Sequence, residues 1–202
     1  ALINGFDYKN EIEKLELRGD IKKKAKRLRN LSTGSAHGVY CSLEAWIDSG
    51  LFETSLNPER IAIISSGSNT QQSNLIRLQE RYREKLKFMN PTYGFNFLDT
   101  DIVGILSELL TIKGEGHSIG AASASGNMAI IQGHRLIESG AYDLVLVVAP
   151  SMELSVYEYQ GFTALGAMAA LGSEVEIDNL CNPFDESHCG FVYGQNAGAL
   201  IL

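Results

Sequence analysis

A chain of 202 residues, 45% of them apolar, has material for one large core or two small ones, and its composition is that of a globular domain. Seventeen Lys and Arg against 24 Asp and Glu give a formal charge of −7, which argues against a dedicated nucleic-acid surface. No apolar run reaches the roughly 18 residues of a membrane span and no signal peptide opens the sequence, so the cytoplasm is the expected location.

Residues 1–18 mix charges with isolated apolar side chains and offer no opening core strand. Lys22, Lys23, Lys24, Lys26, Arg27 and Arg29 then form a basic run. It reads either as a solvated helix face or as a dock for an acidic partner, in which case association weakens with salt. Between 35 and 49, Val39, Leu43, Trp46 and Ile47 fall at helical spacing and Gly50 follows as a stop, which predicts an amphipathic helix lying on a sheet. His37 and Tyr40 fall in or near its first turn with no evident chemical task. Asn57-Pro58 marks a turn, and the β-branched run at 60–66 predicts an interior strand closed by Gly67. The turn from Gly67 to Thr70 lacks the Lys and the glycine spacing of a phosphate loop. A polar helix is expected over 73–88, ended by Asn90-Pro91, and another over 101–110, capped by Asp99 or Thr100. Cys41, Cys181 and Cys189 form no close metal-type pair and read as buried or incidental thiols of a reduced compartment.

Residues 115–128 carry the most chemistry. A short apolar strand at 117–121 runs into small residues and a helix follows at once, which puts Ser123 at a strand-to-helix junction. Backbone N–H groups there lack intrahelical partners, and the aligned peptide dipoles favour negative charge. Ser123 is therefore either an N-cap, the commonest task of a serine in that place, or an exposed hydroxyl among oxyanion donors. The run from Met128 to Ile131 puts apolar residues on more than one helix face, which predicts a buried helix ending near Gly140. Residues 143–149 predict a strand covered on both faces; strand, helix and strand make a parallel crossover unit, hence an α/β fold. Residues 155–170 read as helix and loop, Asn182 to Asp185 as a turn, and 197–202 as an apolar strand whose abrupt stop suggests that more polypeptide follows.

Two segments taken together resemble the β-ketoacyl synthases, the condensing enzymes of fatty-acid and polyketide assembly. One is HSIGAASASGNMAIIQGHRLIESGAYDLVLVVAPSMEL, residues 117–154; the other is NPFDESHCGFVYGQNAGALIL, residues 182–202, similar to the family's Pro-Phe-Asp, Gly-Phe-Val and Gly-Ala-Gly signature. The Gly161-Phe162 loop falls where the family has a mobile segment near its active site. The resemblance implies a thiolase-like layered α/β fold with a mixed, largely parallel sheet, and makes residues 1–202 the amino-terminal half of a ketosynthase-like domain. It also implies that the catalytic position is Ser123, where the family has a nucleophilic cysteine, with no cofactor or metal bound by the protein.

Oxygen for sulfur at that position changes the chemistry. A thiol is partly thiolate near neutrality, whereas an alcohol needs a neighbouring base to attack. Acyl loading should be crippled, but decarboxylation of a malonyl thioester needs only stabilisation of an enolate oxygen, which the family assigns to two histidines. With serine here the sequence resembles the decarboxylases of polyketide β-branching, which turn malonyl-acyl carrier protein into acetyl-acyl carrier protein for an enzyme of the hydroxymethylglutaryl-CoA synthase type. The expected substrate rides on the carrier's phosphopantetheine arm. The Ser123 N–H, with a second backbone N–H from the family's other half, would form the oxyanion site, and the Ser123 hydroxyl would fill space or hydrogen-bond the malonyl unit. Gly194-Gln195-Asn196-Ala197-Gly198 is a second departure, since typical synthases have an acidic residue there. The family's two histidines and a lysine lie in its other half, and His37, His117, His134 and His188 do not sit in matching motifs. His117 is expected to pack in its strand, His134 to sit on a helix face and His188 in a turn. An amino-terminal fragment of this kind is expected to have no turnover alone.

Other readings stay open: a non-catalytic partner of an active ketosynthase, like a chain-length factor; an ordinary condensing enzyme carrying an engineered serine; and, more remotely, a serine hydrolase, although Ala121-Ala122-Ser123-Ala124-Ser125 lacks the flanking glycines of a Gly-x-Ser-x-Gly elbow. The resemblance further implies a homodimer joined through the strand before Ser123, whose unpaired edge would be sticky.

Overall fold

The structure, a computed structural model, describes residues 5–95, 99–169, 180 and 182–202. At its centre lie two strands, β1 (Ile61–Ser66) and β3 (Leu144–Ala149), with β2 (Gly116–Ile119) and β4 (Gly198–Ile201) at the edges in the order β2-β1-β3-β4. β1 runs parallel to both β2 and β3, and β4 returns antiparallel to β3, so the sheet is mixed and largely parallel as expected. All six residues of β1 and the first five of β3 are buried, the signature of strands covered on both faces.

Alternation along these strands sorts the core into two layers. Ile61, Ile63, Leu144, Leu146 and Val148 face α3 (Thr33–Asp48) and α5 (Asp101–Leu110), meeting Val39, Leu43, Trp46, Ile102 and Leu106. Ala62, Ile64, Val145 and Val147 face α6 (Ser125–Glu138) through Ala129. Each large aliphatic side chain buried in this way contributes about 1.5–3 kcal/mol. α6 lies close because Gly133 has no side chain: a Cβ there would stand 2.7 Å from Leu202 Cδ1 and 3.2 Å from Val147 Cγ2.

The described part of the amino-terminal region forms α1 (Tyr8–Lys14) and α2 (Gly19–Arg27), which seal the edge of the first layer with Ile12, Ile21 and Ala25. The basic run is a solvated helix face on α2, but two of its lysines are engaged. Lys22 Nζ donates to the carbonyls of Glu13 (2.7 Å) and Leu15 (3.1 Å), holding the carboxyl end of α1, and Lys26 pairs with Glu13.

Four expectations need correction. The polar helix over 73–88 is α4 (Gln72–Tyr82), followed by a separate 3₁₀ turn at Leu86–Phe88; α4 buries no residue, so no core contact extends it beyond its local propensity. Thr100 occupies the N-cap of α5 without a side-chain bond, because Asp99, at φ +49°, turns its carboxylate to Asn69 N–H (2.9 Å) and Thr70 Oγ1–H (2.7 Å). α6 is not buried all round: Ala129 and Gly133 meet the sheet, while Ile130 and Ile131 are 38% and 42% exposed on the other face. Gly161 and Phe162 lie inside α7 (Val156–Ala164), which a Ser155–Glu158 capping box starts, so they are helical and not loop. Cys41 is half-buried and Cys189 exposed, while Cys181 lies outside the described residues. Among the described residues no helix is long and apolar enough to cross a membrane.

Candidate active site

Because β1, β2 and β3 are parallel and β4 is antiparallel to β3, the carboxyl ends of the first three and the approach to β4 lie at one end of the sheet. That end is where open α/β sheets place ligands. The segments leaving it are tied together. Gly67 N–H donates to Ile119 O (3.1 Å), Ser118 Oγ–H donates to Asp99 O (2.5 Å), and a side chain at Gly120 would collide with Ser68.

After Ile119 the chain makes a tight elbow. Ala122 is held at φ +47°, a left-handed conformation that a residue with a Cβ rarely adopts. Ala124 N–H returns to Ala121 O (2.9 Å), and Ser125 N–H returns to Ala122 O (3.2 Å). The Ser125 hydroxyl accepts from Ala121 N–H (2.8 Å) and donates to Ala122 O (2.7 Å). α6 then starts at Ser125 with Ala124 at its N-cap and no side-chain cap.

This geometry separates two serines that look alike in the sequence. Ser125 is buried and does the backbone work; Ser123 is exposed at the apex and caps nothing. Among the described residues no group hydrogen-bonds the Ser123 hydroxyl, so it has no general base beside it. The four histidines are engaged elsewhere. His37 Nδ1 lies 2.7 Å from Ser151 Oγ, His117 pairs with Glu115 (3.2 Å), His134 with Glu138 (3.2 Å), and His188 Nδ1 lies 2.8 Å from Asp185 O. The last three sit in strand, helix face and turn, as the sequence suggests.

A cavity of about 440 Å³ opens beyond β3 and ahead of β4, lined among others by Met152, Leu154, Phe162, Phe191, Tyr193 and Asn196. Ser123 is not on its wall. Tyr193, a residue no local pattern singles out, braces the cavity: its hydroxyl donates to Met152 O (2.8 Å) and accepts from Leu154 N–H (3.3 Å). Phe162 and Phe191 meet edge to face at 5.5 Å. The Gly-Phe-Val motif has a steric cause. Phe191 N–H donates to Ala167 O (2.9 Å), Ala169 N–H donates to Phe191 O (3.0 Å), and Gly190, at φ +118°, would bring a Cβ to 2.6 Å from the Met168 carbonyl carbon.

Buried polar groups set the floor of this end. His37 and Ser151 join α3 to the segment after β3, and burial pulls the His37 pKa below its ordinary 6.5, partly opposed by Glu153. Glu153 in turn takes both Arg77 guanidinium nitrogens, at 3.1 and 2.8 Å. Ser35 Oγ–H donates to Asp101 Oδ2 (2.7 Å), and Gln71 Nε2 donates to Ser35 Oγ (2.9 Å) and to both Asp101 oxygens (3.2 Å). Burial raises the Asp101 pKa, and the Ser35 hydroxyl and the Ile102 N–H oppose the shift.

The sequence matches the family model described as the β-ketoacyl synthase N-terminal domain over residues 18–202. It is 36% identical over 177 residues to the polyketide biosynthesis malonyl-ACP decarboxylase PksF of Bacillus subtilis (strain 168), covering 88% of this chain and 42% of that protein. It is 23% identical over 212 aligned positions to a 3-oxoacyl-[acyl-carrier-protein] synthase 2 of Staphylococcus aureus, covering 99% of this chain and 52% of that one. The chain thus spans about half the length of the curated relatives it matches or somewhat less. Among solved structures, a β-ketoacyl synthase from Burkholderia phymatum STM815 superposes over the whole chain and 46% of its own at a TM-score of 0.72 and 22% identity. A ketosynthase complex with its type II acyl-carrier protein, AntDE:AntF, matches 87% of the chain and 44% of its own at a TM-score of 0.75 and 17% identity. These likenesses show a thiolase-like fold.

Proposed function

The chain belongs to the β-ketoacyl synthase family, as its amino-terminal domain, and from that premise we propose that the full-length protein decarboxylates malonyl-acyl carrier protein to acetyl-acyl carrier protein in polyketide biosynthesis. One observation carries the reading: the hydroxyl at the apex of the elbow has no base beside it among the described residues. By this reading the alcohol is not called on to attack a thioester, since decarboxylation needs no nucleophile at that position. In decarboxylation the bond between the malonyl Cα and its carboxylate breaks, the electron pair passes into the thioester as an enolate, and the carbon then takes a proton. The protein's task is to stabilise the enolate oxygen. The N–H groups of Ala124 and Ser125 are spent closing the elbow, which leaves the Ser123 N–H as the donor this half is proposed to add to that oxygen, beside the two histidines that the family supplies from its other half. The Ser123 hydroxyl is assigned a contact with the malonyl unit, without acylation.

The 36% identity to a malonyl-ACP decarboxylase supports this choice of reaction within the family. The acyl carrier protein is the proposed partner, and its acidic surface suits the exposed side of α2. With Lys22 and Lys26 engaged, the cations that remain exposed are Lys23, Lys24, Arg27 and Arg29. An enzyme of the hydroxymethylglutaryl-CoA synthase type is proposed to consume the acetyl product. A homodimer is proposed through β2, an edge strand, and the uncovered side of α6. No cofactor is invoked, and residues 1–202 alone are expected to be inactive. Changing Ser123→Cys in the full-length protein tests the role of the hydroxyl. Gain of acyl loading on the new thiol supports it; a wild-type protein that itself becomes acylated on Ser123 overturns it.

A further inference from the structure

The elbow needs a restraint, and one side chain supplies it. Ala122 is the residue before the apex, and its left-handed backbone is unfavourable for any residue with a Cβ. Backbone turn bonds reach the peptides on either side of it, from Ala124 N–H to Ala121 O and from Ser125 N–H to Ala122 O. The Ser125 hydroxyl adds two side-chain bonds to these: it accepts from the N–H of Ala121 and donates to the carbonyl of Ala122, closing a link that the backbone bonds do not make. One oxygen therefore ties the Gly120–Ala121 peptide to the Ala122–Ser123 peptide, bracketing the strained residue. Ser125 is 5% exposed and sits in the first turn of α6, whose position is set by Ala129 and Gly133 against the sheet. The helix thus fixes Ser125, and Ser125 fixes the peptide on which Ser123 stands.

We infer that Ser125 is the positioning residue of the site, a two-bond staple that keeps Ala122 left-handed and so aims the Ser123 N–H and hydroxyl outward. The inference rests on the reading of Ser123 given above for its catalytic consequence, though not for its conformational one. A donor acting on the enolate oxygen works mainly in the transition state, so a rotated Ser123 peptide lowers kcat and leaves KM nearly unchanged. Loss of a donor of this kind commonly costs about a hundredfold or more, and a donor merely misdirected costs less. Glycine adopts the left-handed region freely, so at position 122 it lessens the need for the staple.

The test uses the full-length protein in four forms: wild type, Ser125→Ala, Ala122→Gly, and the double variant. Two readouts are taken, turnover of malonyl-carrier protein and hydrogen exchange of the Ala121 amide. Ser125→Ala is expected to lower kcat about tenfold or more with KM within about twofold, and to speed Ala121 exchange in a protein that still unfolds cooperatively. Adding Ala122→Gly to Ser125→Ala is expected to recover much of kcat, which a purely structural role for Ser125 does not predict. Unchanged Ala121 exchange in Ser125→Ala overturns the staple, as does wild-type kcat in that variant. Should the wild type release no CO2, the proposed reaction fails, and exchange alone then decides the staple. Should Ser125→Ala not fold, Ser125→Thr, which retains an oxygen, and the double variant carry the comparison; a double variant that folds with kcat no better than background overturns the staple.

Discussion

His37 and Ser151 meet at 2.7 Å, 4% and 0% exposed, across 114 positions of sequence. The contact joins the first turns of α3 to the segment after β3, and Gly34 lets the two approach, since a Cβ there would collide with Ser151 O. Through Met152 and Leu154 that segment becomes a wall of the cavity.

His37 and Asp101 give the domain two opposed pH dependences. Burial lowers the folded pKa of His37 below its unfolded value of 6.5, so protonation favours the unfolded chain. Its contribution is complete above that value and is lost as pH falls through the folded pKa. Burial raises the Asp101 pKa above 3.8, so its contribution is complete below that value and is lost as pH rises through the folded pKa. His37→Gln should flatten the fall in Tm between about pH 7 and pH 5. Thermal melts across that range check it; an unaltered slope would mean that His37 does not titrate as its burial requires.

Gly190→Ala should damage the cavity wall more than a half-buried position suggests. The substitution meets a φ of +118° and the 167–169 backbone together, and a cost of about 2 kcal/mol or more is expected. Denaturant unfolding measures it, and Gly126→Ala, with no atom near its Cβ position, is the control.

Charge reversal of Lys23, Lys24 and Arg27 should weaken carrier-protein binding and reduce its salt dependence, without altering Tm by more than a degree or two. The same change at Lys22 and Lys26 should instead destabilise the protein by loosening α1. Titration calorimetry at two ionic strengths separates the two sets.

Much of this architecture is legible in residues that need no context. The unbroken apolar runs at β1 and β3 announce strands buried on both faces, and the strand, small residues and helix around Ser123 announce the elbow. What escapes the sequence is direction and long-range pairing. Ser123 and Ser125 differ only in which way Oγ points, and that follows from the left-handed Ala122. The apolar run at Met128–Ile131 implies cover on several faces, yet among the described residues the Ala129 side meets the sheet while Ile130 and Ile131 stay partly exposed. His37 with Ser151, and Tyr193 with Met152, are contacts between residues 114 and 41 positions apart, beyond the reach of local pattern. Asp99 reads as a cap because its sequence position suits one, but a competing pair of donors on the loop after β1 captures it.

The serine at the elbow, with no base beside it among the described residues, is proposed to serve release of CO2 without carrying the acyl group. Mass spectrometry of malonyl-loaded acyl carrier protein incubated with the full-length protein tests it most directly. The carrier is expected to lose the mass of CO2 while the protein gains none. A carrier left unchanged, or an acyl adduct on Ser123, would contradict it.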